Sequence, residues 1–142
     1  MSMEKRWQKV QANLGYTDEQ MVAFRSNPKY VKMIENTPQF FTHKIVAEVI
    51  KSHGCSSRLK VGDKIVMNGA GQLITAECPE NICIWALAPL GGIVNAIYER
   101  FVAHLDPNGL LFDVINCQDV GIECGGWGQI QMKIRIEGPQ GD

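Results

Sequence analysis

The stretch Glu77-Cys-Pro-Glu-Asn-Ile-Cys-Ile-Trp-Ala-Leu-Ala-Pro-Leu-Gly-Gly92 brings two cysteines, a helix start and a double glycine together. The helix that it opens decides the fold. Beyond it, Ile93, Val94, Ile97, Tyr98, Phe101, Val102 and Leu105 recur at helical spacing and form an apolar stripe. Asn95, Glu99 and Arg100 fall off that stripe. Pro79 suits a first helical turn, where its missing N–H would be unpaired anyway. Pro89 cannot sit inside an unbroken helix without removing a backbone bond. The pattern predicts a short turn near residues 79–88, a kink at Pro89 and a main helix to about residue 104. Gly91-Gly92 lowers helix propensity, which points to the close approach of another backbone. Asp106-Pro-Asn-Gly109 is a turn signal that ends the helix.

Upstream, residues 1–40 read as an N-terminal helical arm. Ser2 caps a first helix that runs to about Leu14 and stops at Gly15. Thr17-Asp-Glu-Gln20 is a capping box. Asn27-Pro28 is a cap followed by proline at the first helical position, and that helix stops before Thr37-Pro38. Short helices of this kind need a surface to lie on, either the rest of the chain or a second subunit.

A core domain is expected over 41–138, where the period changes. Lys44–Ile50 reads as a strand and Ser52–Ser57 as a loop. Lys60-Val-Gly-Asp63 turns into a strand over Lys64–Met67, and Asn68-Gly-Ala-Gly71 predicts a hairpin returning over Gln72–Ala76. After the helix, Leu110–Ile115 reads as a strand, Gly121–Gly128 as a glycine-rich loop and Gly138–Asp142 as a frayed tail. In the last strand Ile130, Met132, Ile134 and Ile136 alternate with polar residues, so one face is buried and the other wet. The fold class is therefore α+β: a small, mainly antiparallel sheet packed against one long helix, preceded by the helical arm.

A chain of 142 residues with net charge −1 can bury a core without disulfides, and it shows no basic stripe for nucleic acid or an anionic membrane. No apolar run is long enough to span a bilayer, and Met1–Trp7 lacks the apolar segment of a secretory signal. The expected location is the cytoplasm, where five cysteines would stay reduced.

From about Ile45 to Glu137 the chain resembles a small bacterial and archaeal family of uncharacterised proteins. The resemblance is carried by Gly54-Cys55, Lys60-Val-Gly-Asp63, Cys83-Ile-Trp-Ala-Leu87, Asn116-Cys117-Gln-Asp119 and the terminal strand. In those relatives a proline often follows the equivalent of Cys83; here Ile84 stands there. The resemblance implies a shared fold and recurrent cysteines at Cys55, Cys83 and Cys117. It implies no substrate.

Those thiols sit at breaks between predicted elements, where sites are usually built. Soft thiolates suit zinc or an iron–sulfur cluster, and either wants a fourth ligand from Cys78, Cys124 or His53. The chain has no C-x-x-C, however, and free cysteines also pack as small apolar groups. Three functions follow. One is a cysteine-lined metal site in a subunit or accessory of a larger metabolic system, with a homo-oligomer expected. Another is a thiol-dependent enzyme with Cys83 as nucleophile at a helix start, His53 or His43 as base, and a substrate pocket of Trp85, Gly125, Gly126 and Trp127. The last is a metal-free interaction protein whose cysteines are structural. The glycine loop reads either as an anion-binding nest or as a tight connection. Asp113, Asp119 and Glu123 read as scattered acids, and His104 as a complement to the helix C-terminus.

Overall fold

The computed structural model describes residues 1–139; the end of the expected tail, 140–142, lies outside the described residues. The chain divides into two compact units, Met1–Pro38 and Gln39–Asp142.

In the first unit, local capping fixes α1 (Met3–Leu14), α2 (Asp18–Arg25) and α3 (Pro28–Glu35). The Ser2 hydroxyl accepts the Lys5 N–H, and Gly15 closes α1 in the left-handed region. Thr17 and Gln20 exchange both bonds of a capping box, which satisfies amides that the first turn leaves without partners. The three helices bury their apolar faces on one another. Trp7, Met21 and Ile34 form a small core, flanked by Val10, Tyr16, Phe24 and Val31. Arg6 crosses to the end of α3 and donates to the Glu35 carbonyl at 2.7 Å, a cation at a helix C-terminus.

A further short helix, α4 (Thr37–Thr42), follows at once. Sequence periodicity misses it because it is little more than one turn long. Pro38 fits in its first turn, and Phe40 is buried against Tyr98, the rings stacked at 4.4 Å.

The second unit is a four-stranded antiparallel sheet in the order β2-β1-β4-β3. Its strands are β1 (Lys44–His53), β2 (Lys64–Asn68), β3 (Val114–Asn116) and β4 (Gln129–Glu137). Ile45, Ala47 and Val49 stand opposite Ile136, Ile134 and Met132, and all are buried. This face packs against one long helix. The expected kink at Pro89 separates α5 (Ile84–Leu87) from α6 (Leu90–Val102). Leu90, Ile97 and Phe101 of α6 are buried. Tyr98 donates its hydroxyl to the Ala70 carbonyl at 3.0 Å, and burial raises its pKa.

Several local expectations change. Gly91 and Gly92 have no neighbour within 4 Å of where a Cβ would stand, so they mark no close approach. β1 runs on through Ser52 and His53, because β4 pairs with them beyond a bulge between Val49 and Lys51; tertiary pairing overrides the polar composition. Gln72–Ala76 makes a single bridge, Met67 with Leu73, and then a tight turn over Thr75–Glu77. The outer edge of β2 is completed instead by Ile74, whose N–H reaches the Val66 carbonyl at 2.9 Å, and by Cys78. β3 shrinks to Val114–Asn116, because Asn108 already occupies the far end of β4. Its side chain accepts the Ile136 N–H at 2.8 Å and donates to the Ile136 carbonyl at 3.0 Å.

The other face of the sheet is largely polar. Glu48 meets Arg135 at 3.1 Å and Lys64 at 3.8 Å. Burial lowers the Arg135 pKa, but hydrogen bonds to Glu137 and Glu48 outweigh it and leave the guanidinium above its ordinary value.

Candidate functional site

Loops from several elements meet where β1 ends and β4 begins. Gly128 has no room for a side chain: a Cβ there would run into the carbonyl of His53 and the backbone of Gly54. Gly54, at φ 67°, would in turn press a Cβ to 3.0 Å from the Trp127 carbonyl. Two backbones thus cross closely, and only glycine fits both sides. This crossing seats Cys55 beside the start of β4.

The glycine-rich loop is organised by Asp119. Its carboxylate accepts the N–H of Gly121 at 2.9 Å and of Trp127 at 3.0 Å. The Asp119 carbonyl accepts the Gln129 side-chain amide at 2.8 Å. Gly126 donates to the Gly121 carbonyl at 2.7 Å and Gly125 to that of Ile122 at 3.2 Å. A Cβ on Gly126 would overlap the Asp119 carboxylate. The loop N–H groups at 125, 126 and 127 are therefore engaged within the chain, and the anion in this nest is the protein's own. Asp119, a scattered acid by its spacing alone, is thus the centre of the loop. Its signal was Asp119-Val-Gly121, an aspartate placed to bond the amide two residues on.

The folded loop and the polar sheet face enclose a cleft of about 340 Å³. Lys51, His53, Gln129 and Gln131 come from the strands, and Val120–Cys124 with Gly128 from the loop. His53 and Cys124 thus share a cleft. Trp85, Trp127, Gly125, Gly126 and Cys83 are not among its lining residues.

The cysteines divide by role. All five are free thiols. Cys78 is tied to the β2 edge: its sulfur accepts the Val66 N–H at 3.3 Å and its thiol donates to the Val66 carbonyl at 3.4 Å. It takes the place of a missing strand. The Cys117 sulfur accepts the Ile130 N–H at 3.4 Å, again at a strand end. Cys83 stands at the N-cap of α5 without a side-chain capping bond. Helix α5 has four residues, so it brings the partial charge of one turn to that thiol. Trp85 lends its carbonyl to the Gln118 N–H at 3.0 Å, which ties α5 to the end of β3. Cys55, Cys83 and Cys117 therefore lie on segments gathered at one end of the sheet. Among the described residues, no group of three or more His, Cys, Asp or Glu side chains is placed to hold a metal ion. Two of the thiols are already committed to backbone groups.

Apolar side chains are exposed both before β3 and in the segments around these loops. Leu111 is 87% exposed and Phe112 79%. Ile84, Trp85, Val114, Val120, Ile122 and Trp127 are exposed as well. No helix among the described residues is long and apolar enough to cross a membrane. No family model, curated protein or solved structure matches the chain.

Proposed function

We propose that the protein is an interaction subunit, which docks through the apolar surface on the β3 side of its sheet. The observation that carries this is the exposure of Leu111 and Phe112 directly before an edge strand. Scattered exposed apolar residues are ordinary, but a contiguous run beside an open sheet edge marks an interaction surface. In this reading Cys78 and Cys117 are structural thiols, and the reducing cytoplasm suits five unpaired cysteines. Size-exclusion chromatography of a native extract tests it. The chain should elute in an assembly well above its own 15.8 kDa, and Leu111→Ser with Phe112→Ser should release it at its own mass with unchanged circular dichroism. Elution of the unaltered chain at its own mass would refute the reading.

The segments that carry Cys55, Cys83 and Cys117 end at one end of the sheet, and this supports a second reading. In it these thiols bind zinc or an iron–sulfur centre, or Cys83 reacts as a nucleophile. Metal and sulfide analysis of protein purified without oxygen, with timed alkylation, separates the two. Stoichiometric metal, or one thiol reacting far faster than the rest, would favour the second reading. Metal-free protein with Cys78 and Cys117 slow to label would favour the first.

A further inference from the structure

The two edges of the sheet are finished differently. On β2 the outward backbone groups of Val66 are taken by Ile74 and Cys78. On β3 the odd residues face inward: Ile134 donates to the Asp113 carbonyl, Ile115 stands opposite Met132, and Cys117 donates to the Ile130 carbonyl. Antiparallel pairing alternates, so Val114 and Asn116 turn their N–H and C=O groups outward. Those groups have no partner among the described residues. The next outward N–H, that of Gln118, is taken by the Trp85 carbonyl. The open edge therefore ends at α5. It carries neither lysine nor proline, the usual guards of an exposed edge.

From this edge we infer that the occupant is a second copy of the same chain, paired antiparallel through β3 about a two-fold axis at Ile115. This rests on the interaction reading above and names its partner. In that register Val114 exchanges both backbone bonds with Asn116 of the other copy, and the reverse, so every free strand group on the edge is matched. Ile115 faces itself. Phe112 comes opposite Gln118, so Leu111 and Phe112 of each copy land on Ile84 and Trp85 of the other. The contact is self-complementary, as a two-fold interface must be. No charged residue faces a like charge across it, since Asp113 stands opposite Cys117. The strand is short, so side chains must supply most of the buried area. With Leu111, Phe112, Ile84, Trp85 and Val114 between 42% and 87% exposed, two copies offer roughly 1,200 Å², the lower bound of a standard specific interface.

The test uses the purified full-length chain. Sedimentation at micromolar concentration should give a dimer. Val114→Pro removes only an outward N–H, which an edge strand tolerates, so the fold should persist while the dimer weakens by about tenfold or more. Ile115→Cys should form a self-linked disulfide on mild oxidation by copper-phenanthroline, mapped to residue 115 in both copies, because facing non-hydrogen-bonded positions meet disulfide geometry. Val114→Cys, opposite Asn116, should not link to itself. A purified chain that is monomeric, a dimer indifferent to Val114→Pro, or the absence of the 115 link would overturn the proposal. If the purified chain is monomeric while the native extract still holds a larger assembly sensitive to Leu111→Ser and Phe112→Ser, this pairing fails and the interaction reading stands.

Discussion

Single side chains in this protein do work that usually falls to backbone. Cys78 supplies both a donor and an acceptor to Val66, and Asp119 supplies the acceptor around which its loop closes. Both roles depend on position rather than residue type, so a thiol here says little about redox or metal chemistry. Asp119→Ala leaves the Gly121 and Trp127 amides without their charged acceptor. Water replaces part of it at this half-exposed site, so the expected cost is about 1–3 kcal/mol. Urea denaturation should show that loss, and hydrogen exchange should show Trp127 losing protection first. Wild-type stability in Asp119→Ala would mean that the loop is held by its glycines alone.

At the scale of elements, β4 is the organising strand. It pairs with β1 on one side and with β3 on the other. Where β3 stops short, Asn108 completes it. Asn108→Ala should expose the Ile136 amide to exchange and cost about 1–3 kcal/mol, because a half-buried N–H and C=O both lose their partner. Asn108→Asp should keep the acceptor and lose the donor, and so fall between the two. Helix α6 contributes to the alkaline pH dependence through Tyr98. Burial raises its pKa above the ordinary value of 10.0, so the folded state holds the phenol proton more tightly than the unfolded state does. That contribution is fully present below the unfolded pKa and is lost as pH rises through the folded one. Tyr98→Phe should therefore lose less stability than wild type on moving above pH 10, as measured by urea midpoints across that range. Parallel pH profiles for the two proteins would show that Tyr98 contributes none of it.

For the whole molecule, the contrast between a β2 edge covered at Val66 and an open β3 edge is the main consequence of the fold. If two copies pair through β3, unfolding is linked to dissociation and the thermal midpoint must rise with protein concentration. The same scan on Val114→Pro should show that dependence only at correspondingly higher protein concentration. The helices of Met1–Pro38 reach their stability by another route. Trp7, Met21 and Ile34 gather there into a small core of their own.

What short-range physics controls is legible in the residues alone. Caps at Ser2, Thr17 and Asn27, the break at Pro89 and the alternation along β4 each follow from neighbours within a few residues, and the α+β class follows from their order. Tertiary structure alone decided the rest. The extension of β1 past Ile50 required β4 to be present as a partner. The truncation of β3 required Asn108 to reach Ile136 from 28 residues away. Asp119 became the centre of its loop only when Trp127 came back to it, and Cys78 became an edge only when Val66 lay beside it. Hydrogen-bond partners distant in sequence leave no periodic trace, because a single side chain can satisfy them from any position that the fold brings near.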